Sequence, residues 1–106
     1  MAIIDLDLDT IREGLADGSI LLIDVREPHE FAMGHIPGSL SMPLSTFDPA
    51  AIPKAEGRRI VFSCAAGVRS RHALMMAEAA GLPLAEHYAG GFKDWVMAGE
   101  EIAQGD

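Results

Sequence analysis

Apolar residues in this chain fall into short unbroken runs, separated by stretches with helical spacing. Ile20-Leu21-Leu22-Ile23 is the clearest run, and such a run suits a parallel strand covered on both faces. Arg59-Ile60-Val61-Phe62-Ser63 is a second strand, which ends at Cys64. Ile3-Ile4, residues 40–44 and residues 84–88 are predicted as further short strands. Between them, Ile11 and Leu15 share one helical face. Thr10-Ile11-Arg12-Glu13 fits a capping box after a start at Asp9 or Thr10, and Gly18 is the stop. Pro28 suits the first position of a second helix, with Phe31 and Ala32 facing inward and Gly34 closing it. Residues 45–48 begin a brief helix, and residues 53–57 turn into the cysteine strand.

After Cys64 a helix is predicted to about Ala80, with Ala73, Met76, Ala77 and Ala80 as its apolar face. Met75 and Met76 read as core filler, and Gly81 with Pro83 ends the helix. Phe92, Trp95 and Val96 recur at helical spacing after the sharp turn at Gly90-Gly91 and are expected in the core. The last few residues are expected to fray. Short strands alternating with helices predict a parallel sheet in a three-layer α/β/α sandwich, one domain over residues 1–106. No repeat, low-complexity tract or linker interrupts it.

Composition narrows the function classes. Hydrophobic residues make up 49% of the 106, which excludes a disordered chain. A formal net charge of −8 argues against nucleic acid and against acidic membrane surfaces as partners. The start of the chain has no basic region, no stretch is long and apolar enough to span a membrane, and a cytoplasmic location is expected. Of the 8 Lys and Arg residues, Lys54, Arg58, Arg59, Arg69 and Arg71 cluster in sequence around the cysteine segment. Such a cluster could draw in a small anion; alternatively, Lys54, Arg58 and Arg59 form a solvated turn. The single cysteine permits no intrachain disulfide, supplies no structural zinc site and leaves no resolving thiol.

Cys64 therefore carries the candidate chemistry. It ends a strand and precedes Ala65-Ala66-Gly67-Val68-Arg69-Ser70, a small-residue loop leading into a helix. Free N–H groups and the dipole at a helix start favour an anion, so a thiol there is lowered toward the reactive thiolate. Gly67 permits a positive φ, Ala65 and Ala66 leave the loop amides uncovered, Arg69 adds fixed charge, and Ser70 is a candidate N-cap. Val68 is the one large apolar side chain in the loop, a composition that does not make core. His72, in the first helical turn, is an exposed bystander, or else a proton acceptor or anion contact alongside Arg71.

This segment resembles the active-site loop of the rhodanese family, Cys-x-x-Gly-x-Arg-Ser. The resemblance continues in Asp24-Val25-Arg26-Glu27-Pro28-His29-Glu30-Phe31, in Gly34-His35-Ile36-Pro37-Gly38-Ser39, and in Gly90-Gly91 with Trp95, Ala98, Gly99 and Ile102. Ser41 stands where the family often has Asn, and Glu101 where it often has Pro. The resemblance implies a five-stranded sheet with the cysteine strand central, and sulfur carried as a Cys64 persulfide held by residues 65–70. Asp24 and Arg26 are then structural support, although Asp24 at the carboxyl edge of the sheet is also placed for catalysis. His35 reads as a buried histidine that braces a loop, with general base as the alternative. The implied partners are a small anionic sulfur donor such as thiosulfate and a thiol, protein or cyanide acceptor, with no metal and no organic cofactor. Cysteine phosphatases have five residues between Cys and Arg; here there are four, the spacing that goes with sulfur transfer. A persulfide carrier or docking module is the alternative, with phosphatase or arsenate reductase further behind.

Overall fold

Residues 2–105 are described by a computed structural model. The unbroken apolar run becomes strand β2, Ile20–Asp24, buried at every position. Its alternate side chains serve two cores, as a strand buried on both faces requires. Leu21 and Ile23 join Phe62, Cys64, Phe47, Ala73, Leu74 and Ala77 on one side. Ile20 and Leu22 join Ile11, Val61, Tyr88 and Trp95 on the other. Each of the large side chains buried here contributes about 1.5–3 kcal/mol.

Among the described residues one sheet forms from β1 (Ile4–Leu6), β2, β3 (Leu40–Ser41), β4 (Arg59–Ser63) and β5 (Glu86–Tyr88). Its order is β1-β5-β4-β2-β3, and every pairing is parallel. Helices α1 (Leu8–Asp17) and α4 (Gly91–Met97) cover one face through Ile11 and Trp95, and α3 (Val68–Ala79) covers the other through Ala73, Leu74 and Ala77. Helix α2 (Pro28–Met33) follows β2, and 3-10 turns occupy Leu44–Thr46 and Pro49–Ala51. The cysteine strand is central, with β2 and β5 on either side. The β2–β4 register sets Asp24 against Ser63, so Val25 and Cys64 leave the sheet together at its carboxyl edge.

Several boundaries differ from expectation. Strand β1 runs from Ile4 to Leu6 rather than over Ile3-Ile4. Helix α1 starts at Leu8 because the Asp7 carboxylate accepts the Thr10 N–H at 2.9 Å, which places Thr10 inside the helix and removes the proposed capping box. Strand β3 stops at Ser41; Pro43 offers no N–H and leads into a 3-10 turn. Strand β5 begins at Glu86, not Leu84. In α3, Leu74 occupies the core, while Ala80 lies outside the helix and Met75 is exposed. Val96 likewise faces outward while Trp95 is buried. The C-terminal tail is tied down: His35 and Ala103 exchange backbone hydrogen bonds of 2.9 Å, and Gly105 N–H donates to Ala32. Asp106 lies outside the described residues.

Candidate functional site

Cys64 leaves β4 and the chain turns at once into α3. Gly67 caps that helix with φ of 87°, and a Cβ there would collide with the Ala89 carbonyl oxygen. Glycine is thus required on conformational and steric grounds alike. The turn points amides at the sulfur: Gly67 N–H donates to Cys64 Sγ at 3.2 Å and Ser70 N–H at 3.3 Å. The loop carbonyls point the other way. Cys64 C=O accepts from Phe92 N–H at 2.8 Å, and Ala65 C=O from Lys93 N–H at 3.0 Å. Gly91 (φ 66°) makes this close approach, since a Cβ there would lie 2.5 Å from the Cys64 carbonyl oxygen. The first turn of α4 therefore fixes which face of the loop meets the sulfur.

Ser70 is not the N-cap. It sits in the first turn of α3, fully buried, with Oγ 3.5 Å from Cys64 Sγ. Burial pushes the Cys64 thiol up. Hydrogen bonds from the Ser70 hydroxyl and the Ser70, Ala66 and Gly67 amides together outweigh burial and bring the thiol below its ordinary value. The thiol is more enclosed than the loop's composition predicts. Cys64 is 1% exposed and packs within the α3-side core, because its side chain turns under the loop while Ala66 and Val68 take the solvent side.

Arg69 does not point at the sulfur. Its guanidinium grips both carboxylate oxygens of Glu30 in α2, at 2.6 and 3.0 Å. The Arg69 hydrogen bonds outweigh burial and hold the Glu30 carboxyl down to about 2. Glu30 also accepts the Glu27 N–H at 3.0 Å, so one side chain caps α2 and anchors Arg69. Sequence reading gave Glu30 no role; its partner lies 39 residues away.

Asp24 and Arg26 form a buried ion pair, with Arg26 Nη2 donating to Asp24 Oδ2 and to the Gly34 carbonyl, each at 2.8 Å. The Arg26 guanidinium lies 4.3 Å from the centre of the Phe92 ring. His35 is buried, stacks on Phe31 at 3.7 Å, and its Nδ1 lies 2.8 Å from the Phe31 carbonyl oxygen. None of these three is hydrogen-bonded to the sulfur.

His87 is a residue the sequence reading missed. It is 1% exposed on β5, with Nδ1 2.7 Å from Ser70 Oγ and Nε2 2.7 Å from Asp5 Oδ1. The only sequence signal was a histidine inside a strand, and its partners come from β1 and α3.

Arg69 and Arg71 lie in the first turn of α3, but Arg58 and Arg59 stand at the other end of the cysteine strand. Arg59 begins β4, five residues of about 3.3 Å rise from Cys64, and pairs there with Glu86 at 2.6 Å. Arg58 is on the same turn. Arg71 lies 3.6 Å from Asp5, and His72 is exposed. A cleft of about 470 Å³ lies between α2 and α4, lined by Arg26, Glu30, Met33, Phe92, Val96 and Ile102 among others. Cys64 does not line it. Among the described residues no group of three or more His, Cys, Asp or Glu side chains is placed to hold a metal ion, and no helix is long and apolar enough to cross a membrane.

Residues 7–98 match the family model described as the Rhodanese-like domain. The chain is 41% identical over 91 residues to the mouse thiosulfate sulfurtransferase/rhodanese-like domain-containing protein 3, covering 73% of this chain and 58% of that one. It is 36% identical over 103 residues to the human thiosulfate:glutathione sulfurtransferase, covering 84% of this chain and 90% of that one. The solved human single-domain sulfurtransferase TSTD1 superposes with a TM-score of 0.73 at 34% identity, covering 88% of this chain and 95% of that chain. The first two curated relatives are longer, and the chain spans only 50% and 58% of their lengths.

Proposed function

This chain belongs to the rhodanese-like family of sulfurtransferases, and from that premise we propose that residues 1–106 act as one domain carrying sulfur on Cys64. The single observation that carries this reading is the pair of amides, Gly67 and Ser70, aimed at one sulfur from a helix start. In the first step the Cys64 thiolate attacks the outer sulfur of a donor such as thiosulfate. The sulfur–sulfur bond of the donor breaks and sulfite leaves with the bonding pair. The negative charge then rests on the terminal sulfur of Cys64–S–S⁻, where the N–H groups of residues 65–70 surround it. Hydrogen bonds to a charged acceptor contribute about 1.5–3 kcal/mol each. In the second step an acceptor thiolate, or cyanide in an assay, attacks that terminal sulfur and the Cys64 thiolate is released.

Intact mass after incubation with thiosulfate tests the reading. A gain of one sulfur, reversed by reductant, is the expected result. No gain with thiosulfate or with any persulfide donor overturns it.

Two observations favour a second reading, a persulfide carrier with slow thiosulfate turnover. Arg69 is occupied by Glu30, and the thiol is enclosed. Loading rates from thiosulfate and from a protein-bound persulfide separate the two: a carrier loads faster from the protein donor.

A further inference from the structure

Four side chains from four parts of the sequence meet in a line beneath the loop: Cys64 after β4, Ser70 in α3, His87 in β5 and Asp5 in β1. Asp5 and His87 are paired in the β1–β5 register, so their neighbourhood is set by the sheet. We propose that Ser70, His87 and Asp5 form a proton relay that takes the Cys64 thiol proton and orients the Ser70 hydroxyl toward the thiolate. The proposal rests on the reading of Cys64 as the sulfur carrier, and it names the positioning residues of that site.

The proton count along the line carries the inference. His87 Nε2 faces a carboxylate oxygen at 2.7 Å, so Nε2 bears a proton and donates it. A neutral His87 therefore has a bare Nδ1, which accepts the Ser70 O–H at 2.7 Å. The Ser70 oxygen is then free only to accept, and the Cys64 S–H supplies that bond. With the thiolate the line reverses. His87 Nδ1–H donates to Ser70 Oγ, and the Ser70 O–H donates to sulfur. The two arrangements differ by one balanced step: the thiol passes its proton to the Ser70 oxygen, and Ser70 passes its own to His87 Nδ1. Thiol plus imidazole becomes thiolate plus imidazolium.

Burial gives this step its value. Cys64 and His87 are each 1% exposed and Ser70 is fully buried. A lone thiolate there would be an uncompensated buried charge, which is costly. The relay creates it together with an imidazolium already paired to Asp5. Among the described residues, the charged and titratable groups tied to this line are Asp5 on β1, Cys64 after β4 and Arg71 on α3, the last 3.6 Å from Asp5. The Asp5 side chain is 62% exposed, so the line ends at solvent.

The test is the pH profile of Cys64 alkylation by iodoacetamide, a readout that needs no sulfur donor. Asp5→Asn changes an exposed side chain and keeps its shape; Ser70→Ala and His87→Gln break the line inside. Each variant is expected to move the alkylation midpoint upward, with alkylation about tenfold slower near pH 7 (~1 pK unit) and unchanged at high pH where all thiol is ionised. A merely structural role lowers melting temperature and leaves the midpoint in place. If Asp5→Asn, folded, alkylates with the wild-type profile, the relay is wrong. If the profiles shift but no donor ever adds sulfur to wild type, the relay stands and the sulfurtransferase reading falls. If wild type takes up sulfur and the profiles coincide, the reverse holds.

Discussion

Arg69 and Glu30 clasp each other across the mouth of the cysteine loop, through two hydrogen bonds of 2.6 and 3.0 Å. On the proposed reading, the cation that would meet an anionic donor is thereby already paired with a carboxylate of α2. Glu30→Gln is expected to release Arg69 and lower the KM for thiosulfate several-fold, while Arg69→Ala raises it more than it lowers the melting temperature. Steady-state kinetics with the two variants check this; equal KM values would leave Arg69 a purely structural clasp.

The same pair predicts an acid response. Glu30 is held down to about 2 against an ordinary 4.5, first by the Arg69 hydrogen bonds. A lowered carboxyl stabilises the fold fully above its unfolded value and loses that contribution as pH falls through the folded one. Both groups are partly exposed, so the contribution at neutral pH is about 1 kcal/mol or less. Thermal melts of wild type and Glu30→Gln should therefore converge between pH 4.5 and about 2.

Cys64→Ser is expected to abolish sulfur loading and to cost about 1 kcal/mol of stability. The hydroxyl still accepts from the Gly67 and Ser70 amides but is slightly small for the core site. Intact mass and a denaturant melt measure the two effects separately. Retained loading would remove Cys64 from its role.

Gly67→Ala combines a left-handed backbone with a clash against the Ala89 carbonyl. It is expected to cost about 1–3 kcal/mol and to turn the amide away from the sulfur. Slower iodoacetamide alkylation at neutral pH, alongside the lower melting temperature, is the signature.

Asp24→Ala leaves the Arg26 guanidinium buried with one carbonyl partner and the Phe92 ring. Removing half of such a pair costs about 3–5 kcal/mol. Chemical denaturation of that variant and of an Asp24→Ala, Arg26→Met double variant tests it, the second recovering much of the loss.

What the sequence disclosed follows from where each contact is made. The β2 and β4 runs announced buried parallel strands because both faces of those strands are apolar. Gly67 and the cysteine announced the loop because its geometry is local. The start of α1 was placed at Asp9 or Thr10 because Thr10 and Glu13 have capping-box spacing, whereas the Asp7 carboxylate takes the Thr10 N–H and starts the helix earlier. Met75 was read as core filler from its residue type and Val96 as core from its helical spacing, each next to a residue that does face inward, Leu74 and Trp95. His87 and Glu30 were invisible for a different reason. Their partners lie 82 and 39 residues away, brought near by sheet register and by the α2–α3 approach. Of the two readings left open for Lys54, Arg58 and Arg59, the solvated turn is the one that fits: Lys54 and Arg59 are exposed, and the length of β4 separates Arg59 from Cys64.

Helix α4 grips the carbonyls of Cys64 and Ala65 with its opening amides, and three residues later it carries Trp95, the sole tryptophan. That indole is buried and its Nε1–H donates to the Glu101 carbonyl. On the proposed reading, a shift of the loop as sulfur arrives or departs pulls on the helix that holds the chain's single tryptophan. The chain thus contains a native optical probe, and its emission should follow turnover in real time without a label.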